Sequence, residues 1–203
     1  MAELITGKYG NYYRGNEFLN IAQMIYNAGY INAYLQERGW TLNAIAGMLG
    51  NMQTESTINP AIWQNLTESP SNGYGLVQWT PSTKFTDWCH EREYDPASMD
   101  NNLKRIEWEI EQGEQWIATD AYPLSFAEFK VSTASPEYLA DAFLKNYERP
   151  ADGDQPARAD QAREWYNLLG GTTPPSPDPD NPDIPYKKSK MPLWLLVAAT
   201  RRN

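Results

Sequence analysis

"TLNAIAGMLGNMQTESTINP", Thr41 to Pro60, is the stretch from which the fold is read. Leu42, Ile45, Leu49 and Met52 recur at intervals of three and four residues, the period of one apolar helix face. Thr41 is a suitable N-cap, and Ala44, Ala46, Gly47 and Gly50 leave room for close helix contacts. The spacing therefore predicts a helix buried at the centre of its domain. It runs out in a polar stretch, Asn51, Gln53, Thr54, Ser56 and Asn59, where Glu55 is the one carboxylate and no histidine, cysteine or lysine is near.

An acid that must deliver a proton near neutral pH needs a raised pKa, which partial burial among apolar groups provides. The negative end of a helix dipole acts in the same direction. Glu55 is thus expected to stay protonated. The plainer reading, a solvated glutamate at a helix end, stands beside it on position alone.

Outward from this helix the periodicity is mostly helical. Asn16 is expected to cap a helix over "EFLNIAQMIYNAGYINAYLQERG", with Gly29 a place where it bends or breaks. Thr80-Pro81, Asp100, Ser125 and Ser135-Pro136 each precede a helical pattern, the last running to about Glu148. A final helix is expected from about Pro156 to Leu169, stopped by Gly170. Only "GYGLVQWT", Gly73 to Thr80, reads as a strand, so the fold class is mainly α with one small β element (α+β).

The chain has 203 residues, 41% of them hydrophobic, enough for one core and one main domain. Residues 1–15 are set apart as an N-terminal extension, and 16–171 as the folded domain. One cysteine, Cys89, allows no intrachain disulfide, and with one histidine, His90, no metal site is expected. A Ser/His or Cys/His hydrolase is disfavoured for the same reason. No phosphate-binding glycine motif is present, and a net charge of −9 argues against a nucleic-acid partner. No cofactor is expected. The N-terminus lacks the pattern of a secretory signal peptide.

From Thr172 the composition changes to "TTPPSPDPDNPDIP", and residues 172–186 read as an extended linker. The tail, 187–203, carries an apolar run from Met191 to Ala199, about 14 Å long as a helix and too short to span a bilayer. Lysines and arginines flank that run, which suits docking on a virion protein or an anionic membrane surface. Residues 172–203 carry a net +2, which leaves −11 on residues 1–171. An acidic domain gains nothing from electrostatic capture by an anionic bacterial wall, so tethering suits it better.

A glycine-bounded strand with Gln78 and Trp79 offers backbone groups, an amide and a flat apolar face, a combination that reads sugar rings. Most of the eight tryptophans and 13 tyrosines serve the core. "GMLGNMQTESTINP", "GYGLVQWTP" and "NYERPAD", in this order and at these separations, resemble the phage tail-associated lysozyme family, wall-degrading morphogenesis proteins of short-tailed phages. The resemblance covers roughly residues 30–170. It implies a lysozyme-like domain with a small β hairpin beside the cleft. It also implies Glu55 as general acid, with Gly75, Leu76, Val77 and Gln78 lining the sugar cleft. Trp79 and Tyr147 are further substrate-binding candidates.

Glycoside hydrolysis ordinarily asks for a second carboxylate. Glu68, in a polar loop, and Glu148, in "NYERP", are the candidates. Against them stand an exposed loop residue and a structural pair of Glu148 with Arg149 or another base. Larger members of the family carry a metal-dependent peptidase domain after the lysozyme domain; with one histidine, none is expected in this chain.

The reading is a peptidoglycan hydrolase of muramidase type that cuts between N-acetylmuramic acid and N-acetylglucosamine for local wall penetration. The expected partner is the glycan strand and the expected location the virion tail or host envelope. A lytic transglycosylase using the same glutamate is the first alternative. A non-catalytic wall-binding module or structural tail component is the second.

Overall fold

The structure, a computed structural model, describes residues 1–150 and 155–170; the linker, 172–186, and the tail, 187–203, lie outside them. Two strands, β1 (Glu3–Gly7) and β2 (Gly10–Arg14), form an antiparallel hairpin pairing Glu3 with Arg14 and Gly7 with Gly10. Among the described residues seven α-helices follow: α1 (Ile21–Gln36), α2 (Leu42–Ser56), α3 (Thr83–His90), α4 (Met99–Glu111), α5 (Phe126–Val131), α6 (Pro136–Phe143) and α7 (Pro156–Leu168). The molecule is mostly helical with a small sheet. Among the described residues no helix is long and apolar enough to cross a membrane.

Helix α2 is the hub. It packs against α1, α5, α6 and α7, and Ile45, Met48, Leu49 and Met52 are fully buried. Its small residues are what permit those approaches. A Cβ on Gly47 would lie 2.8 Å from the Leu139 carbonyl carbon, and one on Gly50 would lie 2.3 Å from the Arg158 carbonyl oxygen. Thr41 caps the helix by accepting the Ala44 N–H, so the expected start and the expected burial both hold.

Elsewhere local details differ from expectation. Asn20, not Asn16, caps α1, and Gln23 three residues on completes a reciprocal capping box. Asn16 instead ties the Trp63 N–H and the Leu66 carbonyl together. Gly29 neither breaks nor bends α1 out of register, because sixteen residues of helix packed on β2 and α2 outweigh one weak helix former. The last part of the α6 segment, Leu144–Glu148, is a π turn rather than α-helix.

The β structure also sits in an unexpected place. Residues 1–15, set apart on sequence grounds, form the one sheet among the described residues and pack on α1, with Tyr12 in the core. Gly7 makes the closest approach, since a Cβ there would meet the Tyr30 hydroxyl at 2.5 Å. Gly73–Thr80 is not a strand. Single antiparallel bridges join Trp63 to Tyr74 and Tyr74 to Trp79, closing a tight loop over Gly75–Gln78. Gly75 at φ 81° and Gln78 at φ 51° supply the left-handed turns that an extended strand would not contain.

Candidate active site

The polar stretch around Glu55 resolves residue by residue into structural duties. Asn51, fully buried, donates to the Gly47 and Ala140 carbonyls. Gln53 accepts from Trp165 Nε1, and Thr54 donates to Gln161. Ser56 donates to the Met52 and Leu76 carbonyls, fixing the helix end to the Gly75–Gln78 loop. Asn59 holds the carbonyls of Gly15 and Glu17. The helix is terminated by Thr57 and Ile58, both at positive φ, whose N–H groups return to the Gln53 and Met52 carbonyls. Left-handed backbone at a β-branched residue such as Ile58 is uncommon and is sustained by this bonding. Glu55 is the residue of the stretch left facing a cleft.

That cleft has a volume of about 280 Å³, and Glu55 and Glu148 both line it. Val77, Gln78, Trp79 and Tyr147 form much of the rest of its wall, so six of the residues singled out in the sequence are brought together. Three are not. Glu68 is exposed on its loop and does not reach the cleft. Gly75 and Leu76 lie behind it with their backbones committed: the Leu76 N–H donates to Asn102, its carbonyl accepts from Ser56, and the Gly75 carbonyl accepts from Gln78.

The aromatic candidates are likewise held. Trp79 stacks on Phe85 with centroids 4.3 Å apart and donates its Nε1–H to Glu109. Tyr147 stacks on Phe143 at 4.6 Å and donates its hydroxyl to the same carboxylate at 2.6 Å. Glu109, buried on α4, also receives Arg105 at 2.9 Å and so anchors two walls of the cleft. The π turn at Leu144–Glu148 lets the consecutive residues Tyr147 and Glu148 both line the cleft, and such turns are frequent at functional sites.

The two glutamates differ in surroundings. Glu55 keeps 22% of its side chain exposed, and its Oε1 accepts from Arg158 Nη2 at 2.5 Å. The expectation that helix-end burial alone would keep a proton there did not anticipate this guanidinium, which arrives from a helix 103 residues away in sequence. Glu148 retains some surface, but its Oε1 is shut off from solvent and has no hydrogen-bond partner. Desolvation, then the charge of Glu55, pushes its pKa well above the ordinary 4.5 against the opposing pull of Arg158. Arg149, the expected structural partner of Glu148, is exposed and occupies the left-handed cap at φ 49°.

Arg158, Glu109, Gln115, Lys84, Thr80 and Pro150 were not singled out from the sequence. Lys84 is the one basic side chain among the described lining residues. For Arg158 and Glu109 a signal did exist. Arg158 lies on the same helical stripe as the buried Ala162 and Trp165, and Glu109 follows the buried Asn102 and Arg105 at helical spacing. A charge on a buried stripe requires partners, and here the partners are the cleft and its walls. Among the described residues, no group of His, Cys, Asp or Glu is arranged to hold a metal ion.

A family model described as phage tail lysozyme matches residues 26–169. Morphogenesis protein 1 of Bacillus phage B103 is 52% identical over 161 residues, which cover 79% of this chain and 44% of that relative. The matched stretch thus corresponds to less than half the length of that protein.

Proposed function

The chain belongs to the phage tail lysozyme family, and from that premise we propose that it hydrolyses the glycan strand of peptidoglycan between N-acetylmuramic acid and N-acetylglucosamine. The observation that carries this reading is the pair Glu55 and Glu148, two carboxylates on one cleft in unlike environments. Two neighbouring carboxyl groups that cannot both ionise easily share one proton, and the proton belongs to the pair.

Glu148 is the carboxyl that burial makes reluctant to ionise, since its Oε1 is shut off from solvent and has no hydrogen-bond partner. A glycan strand bound across the opening would cover the exposed part of Glu55 and remove its water, which favours the protonated form there. Glu55 then protonates the leaving glycosidic oxygen as positive charge develops at the anomeric carbon. Glu148, left ionised beside the Arg158 charge, serves as the second carboxylate. Gln78, Val77, Trp79 and Tyr147 provide the wall on which the sugar rings lie. Action at a phage tail during wall penetration is the setting that the family suggests, and the tail, 187–203, is our candidate tether to virion or membrane.

The shielding of Glu148 Oε1 favours a second reading. If that group never reaches substrate, Glu55 acts alone and closes an anhydro ring, as in a lytic transglycosylase. The test is digestion of several purified peptidoglycans by wild type and Glu55→Gln, with mass spectrometry of the products. Hydrolysis gives reducing ends, and loss of a positioned general acid is expected to slow release by about 100- to 10,000-fold. Ends of 1,6-anhydro type would establish the second reading. No release from any wall would remove both and leave a binding or structural role.

A further inference from the structure

Arg158 is 3% exposed, and three of its nitrogens each have a different acceptor. Nε donates to Gln155 Oε1 at 2.6 Å, Nη1 to Asn51 Oδ1 at 3.0 Å and Nη2 to Glu55 Oε1 at 2.5 Å. Asn51 is itself pinned by its amide to the carbonyls of Gly47 and Ala140 at 3.0 Å each. A rigid path thus runs from the contact of α2 with α6, through Asn51 and the guanidinium, to one oxygen of Glu55. Surface ion pairs do not need this scaffolding, and a buried arginine is costly unless each donor is placed.

We propose that Arg158 is a positioning residue: it fixes the carboxylate of Glu55 at the cleft wall, in the orientation that its bonds to Asn51 and Gln155 impose. The inference rests on the reading of the cleft as a glycosidase centre only for its consequence in rate. The planar fork accounts for arginine here, because a lysine ammonium carries the charge but cannot hold three acceptors in one plane. The groups facing the pair are Arg158 from α7, Tyr147 from the π turn, Glu109 from α4 and Lys84 from α3. Of the two cations, Arg158 alone bonds directly to either glutamate, so its removal should be felt most. Loss of its charge disfavours ionised Glu148, and the titration of that carboxyl should move to higher pH.

The experiment compares the full chain with Arg158→Gln and Arg158→Lys, with folding checked by circular dichroism. The carboxyl titration of Glu148 is followed by carbon-13 NMR, and kcat and KM are measured on peptidoglycan across pH. In Arg158→Gln the Glu148 midpoint should rise, the pH optimum should move up with it, and kcat should fall about 100-fold, the scale of a misplaced reacting group. In Arg158→Lys the midpoint should return toward wild type while kcat stays at least about tenfold low at an unchanged KM, a split that a merely structural role would not produce. An unmoved midpoint in a folded Arg158→Gln overturns the proposal, as does full kcat in Arg158→Lys, which also decides the matter if the glutamine variant does not fold. If the wild type cleaves no wall, the glycosidase reading fails separately and the titrations alone decide the role of Arg158.

Discussion

At Glu148, desolvation and the charge of Glu55 hold a proton on the carboxyl well above 4.5. Between pH 4.5 and the raised folded value, the native state binds a proton that the unfolded state has released, so stability falls as pH rises through that window. Glu148→Gln removes the penalty at little change in shape. It is expected to melt above wild type at pH 7, each 1 kcal/mol or so of relieved penalty moving Tm by roughly 2–4 °C. At pH 4, where both states are largely protonated, the two melts should converge. Calorimetry at the two pH values checks this, and a difference that does not depend on pH would refute it. The same variant should lose activity, so a gain in stability would accompany a loss of function.

Two glycines on helices separate packing from propensity. Gly50 has no room for a side chain, because a Cβ would meet the Arg158 carbonyl oxygen at 2.3 Å and the Ala162 nitrogen at 2.8 Å. Gly50→Ala must push α7 away from α2 and is expected to cost about 3 kcal/mol, near the upper end for overpacking. It should also loosen Arg158 and with it Glu55. At Gly29, inside α1, an added Cβ would meet nothing within 4 Å, so Gly29→Ala should raise stability by about 0.5–1 kcal/mol through helix propensity alone. Denaturant unfolding of both variants is the check, and equal effects of the two would contradict the close contact of α2 with α7. Element by element, helix α2 was legible because cap, periodicity and small residues agree. The loop over Gly75–Gln78 was not, because apolar and aromatic residues bounded by glycines describe a strand equally well until the bridges of Tyr74 with Trp63 and Trp79 are seen.

Across the whole molecule the charge is −9, with −11 over residues 1–171. Repulsion from an anionic wall decays over about 30 Å at 0.01 M salt and about 8 Å at 0.15 M. Clearing of a wall suspension by the free protein is therefore expected to quicken on raising salt over that range, and turbidity measurements that show slowing would oppose this. The sequence by itself determined the mostly helical class, the central helix, the placement of Glu55 at its end and the acidic balance, because these depend on period, caps and composition within short windows. It also carried the family, since three motifs in a fixed order are a local record of a shared fold. Only the tertiary structure decided that Glu68 stays away from the cleft and Glu148 lines it, that Gly75 and Leu76 spend their backbone bonds inside the fold, and that Arg158 reaches Glu55. The reason is that desolvation and ion pairing depend on distances between segments about a hundred residues apart, and no local pattern encodes those distances.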